Sequence, residues 1–193
     1  GAERGFDVTV WEAGKRLGGN LRPASVPPFK RDIAAYLSYL EGLVGRLGIQ
    51  VVYGKRAAPE DVRACGADHV VVATGARMEP LPFHGDNTFS LIDVLSGRQA
   101  AGETILIMGA GVAGCETAAH FALQGKKVIL CARADDDALD TDMVDLHNRS
   151  MLLRMVRHPN IRIYRGTIPV RLEQGGVIAK RQYSSIYLAA DSL

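Results

Sequence analysis

The stretch that most constrains this chain is "ILIMGAGVAGCETAAHFALQGKKVILCAR", residues 105–133. An apolar run, a glycine turn, an apolar helical run and a second apolar run follow one another without a break. That order predicts a parallel strand–helix–strand crossover. Gly109, Gly111 and Gly114 form G-x-G-x-x-G at the first strand–helix junction. In this setting the first glycine permits the tight turn, the second lets backbone approach a pyrophosphate, and the third lets helix and strand pack closely. A helix amino terminus beside the turn offers N–H groups and a partial positive charge to phosphate. Gly109, Ala110, Gly111, Val112, Ala113 and Gly114 are therefore expected to bind a dinucleotide.

The second strand ordinarily ends, about 20 residues after the motif, in an Asp or Glu that accepts from the ribose hydroxyls. Here Ala132 and Arg133 stand instead. With no carboxylate to repel it, a 2′-phosphate could rest against Arg133, which tilts the chemistry toward NADP(H). The plain alternative is a solvated loop arginine.

Upstream, "FDVTVWEAG" reads as a strand ending at Glu12, followed by Gly18 and Gly19 in "KRLGGN". "RDIAAYLSYLEGLVGRLG" has helical apolar spacing, and "IQVVYG" reads as a strand. "DHVVVATG" is a nearly continuous apolar run, expected as a buried strand of a parallel sheet closed by Thr74 and Gly75. Glu12, the double glycine and the Thr74–Gly75 pair together point to a second dinucleotide, although no glycine turn precedes the first strand.

Proline and glycine density in "ARMEPLPFHGDN" marks a boundary, dividing the chain into residues 1–82 and 83–193. Beyond the central unit a helix is expected over residues 143–157, then short strands in "IRIYRG", "TIPVRLEQGG" and "GVIAKRQ", two of them joined by a glycine turn. The predicted class is α/β, with two Rossmann-like dinucleotide-binding units. The first is incomplete and the second carries an antiparallel meander.

Composition excludes several alternatives. Hydrophobic residues at 47% and charged residues at 23% are ordinary for a folded domain. A net charge of +2 provides no basic stripe for nucleic acid. No apolar run approaches the about 18 residues of a membrane span, and the amino terminus lacks a signal pattern. A cytoplasmic protein without a membrane partner is expected, and a homo-oligomer stays open. Cys65, Cys115 and Cys131 form no C-x-x-C pair, and the five histidines lack ligand spacing, so neither a redox dithiol nor a metal site is expected. Cys115 and Cys131 should pack as small apolar residues. Lys126 and Lys127 should flank a strand in solvent, and "ADDDALD" should be a solvated loop. No general acid, base or nucleophile stands out.

"RGFDVTVWEAGKRLGGNLRPASVPPFKRDI", "ADHVVVATGA", "IDVLSG" and "GETILIMGAGVAGCETAAHFALQGKKV" resemble the flavoprotein half of 2-enoate reductases, in the 2,4-dienoyl-CoA reductase and trimethylamine dehydrogenase group. The resemblance covers nearly the whole chain. It implies FAD, or ADP in the amine dehydrogenases, in the first unit and NAD(P)H in the second. Glu12 would then meet the FAD ribose, Gly18, Gly19, Thr74 and Gly75 its phosphates, and Gly109, Gly111 and Gly114 the NAD(P)H. That family's first strand and glycine turn, final segment, FMN-bearing barrel and 4Fe-4S cysteine cluster have no counterpart here, so the chain resembles an excerpt of a larger enzyme. The missing FMN-barrel region would be its partner. The competing expectation is a non-catalytic, ADP-type structural module.

Overall fold

The computed structural model describes residues 1–78, 82–136, 139 and 146–193, the last stretch by backbone only at 146 and 147. Two compact units result, Gly1–Met78 and Glu79–Leu193.

In the first unit, β1 (Thr9–Glu12) and β2 (Gln50–Tyr53) pair in parallel, with Glu12 opposite Tyr53. Between them lie the one-turn α1 (Leu21–Ala24) and the long α2 (Arg31–Arg46). The predicted apolar stripe of α2 is present, and Leu37 is its fully buried member. With Leu17, Leu21, Leu40, Val44 and Leu47 it lines an apolar hollow of about 280 Å³. A short α3 (Pro59–Ala64) follows. Its start is fixed by Asp61, whose carboxylate accepts from the Ala58 N–H at 2.9 Å and from Lys55 Nζ at 2.6 Å. Those bonds, the Lys55 one foremost, hold the Asp61 carboxyl below its usual range.

One expectation fails here. "DHVVVATG" is not a buried strand: residues 68–75 are irregular and exposed, with Val71 at 87% and Val72 at 80%. A strand requires a ladder neighbour, and among the described residues β1 and β2 pair only with each other.

The second unit opens with α4 (Leu91–Leu95), capped by Ser90 Oγ accepting from the Asp93 N–H at 3.1 Å. The parallel sheet has the order β3–β4–β5, with β3 at Thr104–Met108, β4 at Lys127–Cys131 and β5 at Ile161–Tyr164. The crossover between β3 and β4 is α5 (Val112–Leu123). Between β4 and β5 runs α6 (Leu146–Met155), and the first residues of the expected helix, 143–145, lie outside the described residues. β6 (Thr167–Glu173), β7 (Gly176–Arg181) and β8 (Ser184–Ala189) form the antiparallel meander. "IRIY" belongs to the parallel sheet instead of the meander, and β8 supplies the meander's third strand.

The two sheets explain the continuous apolar runs. Ile105, Ile107, Val128 and Leu130 point into a core with Ala118, Phe121 and Ala122 of α5 and Leu152 of α6. Leu106 and Cys131, on the opposite face, join Val177, Ala179 and Leu188 of the meander. A sheet covered on both faces has no position for a polar residue, so alternation vanishes. Ser192 also pairs with the free edge of β3, its carbonyl accepting from the Leu106 N–H at 2.8 Å.

Two further expectations change. Lys126 is not in solvent: its ammonium donates to the carbonyls of Ala101 at 3.0 Å and Gly102 at 2.8 Å and pairs with Glu103 at 3.2 Å. The acidic loop is not wholly solvated either. Asp135 and Asp136 are exposed, but Leu139 is buried in the helix-side core, and the remaining acidic positions of that run lie outside the described residues.

Candidate functional site

The turn between β3 and α5 follows from its glycines. Gly109 has φ +100°, a conformation L side chains rarely adopt, and its N–H donates to the Cys131 carbonyl at 2.9 Å. This bond draws the turn against the end of β4. Gly111 is the extended residue preceding the helix, with its carbonyl accepting from the Cys115 N–H at 2.9 Å. At Gly114 a Cβ would overlap the Gly109 carbonyl oxygen, so only glycine lets α5 fold back so closely. Ala110 is fully buried, and its carbonyl accepts from Cys115 Sγ at 3.1 Å.

The first turn of α5 has neither a side-chain cap nor an acidic residue. Val112 and Ala113 are exposed. Bare backbone at the positive end of a twelve-residue helix therefore faces outward, which fits a pyrophosphate.

At the end of β4 the register is settled. Ala132 is fully buried, its N–H donating to the Tyr164 carbonyl and its carbonyl accepting from the Thr167 N–H, each at 2.9 Å. Arg133 is exposed. Cys131 and Cys115 are buried free thiols, and burial pushes the Cys131 thiol up to about 12. A thiol held that high lacks the thiolate character that redox exchange needs.

In the first unit Glu12 is half-buried at the end of β1, with Oε1 accepting from the Gly14 N–H at 2.5 Å. Gly18 and Gly19 have φ of +104° and +46° and open the α1 turn. A Cβ at Gly18 would crowd Leu37 and Arg22, so this glycine also serves packing. Gly75, at φ +73°, and Thr74 lie in the exposed segment rather than closing a strand. Asn20, absent from the predicted set, joins these pieces: its Nδ2 donates to the Ala76 carbonyl at 3.1 Å. The double-glycine turn and the Thr74–Gly75 stretch are thereby neighbours, with small residues and bare backbone facing out. Asn directly after Gly-Gly was the available signal.

The family model described as pyridine nucleotide-disulphide oxidoreductase matches residues 4–192. The chain belongs to this family. Members of the family carry FAD- and NAD-binding domains, in keeping with the two units described above. Similar curated proteins include cinnamate reductase of Clostridium sporogenes, 34% identical across 99% of this chain and 29% of the relative. NADH oxidase of Thermoanaerobacter brockii is 34% identical across 74% of the chain and 23% of the relative. A solved 2-naphthoyl-CoA reductase complex superposes with TM-score 0.86 at 22% identity, over 99% of this chain and 29% of that one. The chain thus spans less than a third of the length of these relatives, and at this identity the superposition establishes the fold. It is a flavin- and NAD-binding oxidoreductase module similar to part of cinnamate reductase and of NADH oxidase. Among the described residues no helix is long and apolar enough to cross a membrane, and no cluster of His, Cys, Asp or Glu could hold a metal.

Proposed function

We propose that this chain is the FAD- and NAD(P)H-binding module of an ene-reductase-like flavin oxidoreductase. It would take hydride from NAD(P)H to FAD and pass electrons onward to an FMN- and 4Fe-4S-bearing region of the same protein. The observation carrying this reading is the β3–α5 turn, where Gly114 packs on the Gly109 carbonyl and an uncapped helix start faces outward.

The redox chemistry belongs to nicotinamide and flavin when bound, and the protein orients them. Gly109, Gly111 and the first N–H groups of α5 hold the pyridine nucleotide's diphosphate. Glu12, fixed through Gly14, accepts from the ribose hydroxyls of the FAD adenosine. The Gly18–Gly19 turn and Thr74–Gly75, drawn together by Asn20, lie on the phosphate side. Buried Cys115 and Cys131 take no part in electron transfer. By itself the 193-residue chain should show no reductase turnover.

The test uses the full-length protein. It should be purified with bound flavin, and its flavin absorbance should bleach anaerobically on adding NAD(P)H. Flavin that stays oxidised, or a protein that binds none, contradicts the reading.

A further inference from the structure

We infer that Arg22 positions the double-glycine turn of the first unit for the flavin's diphosphate, and that it does so only while Glu41 holds it. This rests on the flavin reading of that turn and goes beyond it by naming the clamp that sets the turn's geometry.

The turn needs a clamp. Gly18 and Gly19 both lie at positive φ, +104° and +46°, and glycine loses more conformational freedom on ordering than any other residue. Apolar packing holds the turn only in part. Leu37 reaches Gly18, but the apolar hollow of about 280 Å³ is lined by Leu17 and Gly18 together with Leu40 and Val44, so contact with α2 is incomplete. Arg22 supplies the rest. Its Nε donates to the carbonyl of Leu17, the residue just before the double glycine, and a terminal nitrogen donates to Glu41 Oε1 on α2. The arm of Arg22 runs against the turn itself, since a Cβ at Gly18 would lie 3.3 Å from both Arg22 Cγ and Nε. The Arg22 and Glu41 side chains are sheltered, at 27% and 35% exposure, which screens the pair less than a fully solvated one. The backbone of Arg22 is fastened too: its N–H donates to the Gly19 carbonyl at 3.2 Å, and Ser25 Oγ donates to its carbonyl at 2.8 Å.

What the clamp fixes is bare backbone. The N–H groups of Gly18, Gly19 and Asn20 donate to no described residue, and Gly19 and Asn20 are exposed. Successive backbone N–H groups in a turn suit an anion. Arg22 is itself occupied by a carbonyl and a carboxylate, so it acts on the diphosphate through the turn and is a positioning residue. That role fixes a sign. Were Arg22 to bind phosphate directly, freeing it from Glu41 would tighten flavin binding; as a clamp, the same release loosens it.

The experiment titrates FAD into the apo form of the full-length protein and follows flavin fluorescence, with thermal melts showing that each variant is folded. Arg22→Met and Glu41→Leu should each weaken FAD binding on the order of 10- to 100-fold, as for lost hydrogen bonds to a charged group. Because both act on one clamp, the double variant should bind no more weakly than the weaker single variant. Arg22→Lys keeps the charge without the planar fork and should recover part of the loss. Should Arg22→Met fail to fold, the Glu41 variants decide: weaker binding supports the clamp, and unchanged or tighter binding overturns it. Natural affinity in Arg22→Met, or a loss that Arg22→Lys does not relieve, likewise overturns the positioning role and leaves the flavin site standing. A natural protein that takes up no FAD overturns the flavin reading, and this inference with it.

Discussion

Two apolar runs of nearly the same character meet opposite fates in this molecule. "TILIM" of β3 is covered on both faces, by α5 and α6 on one side and the meander on the other, and is bonded along both edges. "VVVATG" lies in solvent without a ladder. Valine content does not make a strand; neighbours do. The parallel sheet of the second unit has three strands and a covering layer, whereas that of the first has two strands among the described residues. A parallel sheet of two strands with open faces leaves little apolar area to bury.

The largest test of that contrast compares truncations. Leu130→Ala, at a fully buried site in β4, should cost about 2–5 kcal/mol in denaturant unfolding of the second unit. Val71→Ala should change stability by under about 0.5 kcal/mol. Equal losses would mean that residues 70–72 are buried in solution.

Crowding the glycine turn should come next. Gly114→Ala places a methyl on the Gly109 carbonyl and should cost about 1–3 kcal/mol, together with loss of nucleotide binding. Thermal melts with and without NADP⁺ would show both effects, and a variant that melts normally and is still stabilised by NADP⁺ would refute the packing role.

The adjacent lysines sharpen the same point on a smaller scale. Lys126→Ala removes bonds to two carbonyls and a carboxylate and should cost about 1–2 kcal/mol. Lys127→Ala, at an exposed position, should cost under about 0.5 kcal/mol.

The smallest expected effect is a pH slope. His120 of α5 is buried, with Nδ1 unpartnered and Nε2 facing Gln124 at 2.9 Å, and burial holds its pKa below 6.5. Its contribution is complete above that value. As pH falls through 6.5 the unfolded chain takes up the proton first, and stability declines toward the lowered folded value. His120→Gln should flatten the stability profile between about pH 7 and 5.

Much of this was legible because local and global signals agree. The G-x-G-x-x-G spacing fixed the turn, the apolar runs on either side of it marked a strand–helix–strand crossover, and the stripe from Ile33 to Leu47 marked α2. What stayed hidden depended on distant partners. Nothing near Val70 tells whether a strand lies beside it, and nothing near Lys126 tells that the carbonyls of Ala101 and Gly102 converge on its ammonium. Asp61 and Ser90 start α3 and α4 through short-range bonds that a hydrophobic periodicity does not register. At the site, residue types revealed the glycine turn, while the burial of Ala132 beside an exposed Arg133 became readable only through the bonds that hold the end of β4.

The most direct test of the central claim is amide mapping by nuclear magnetic resonance as NADP⁺ is added to the purified protein. The amides of Gly109, Gly111, Val112, Ala113 and Gly114 should shift and exchange more slowly, with those of β7 and β8 unchanged. Shifts confined to other segments, with the β3–α5 turn untouched at saturation, would contradict the account.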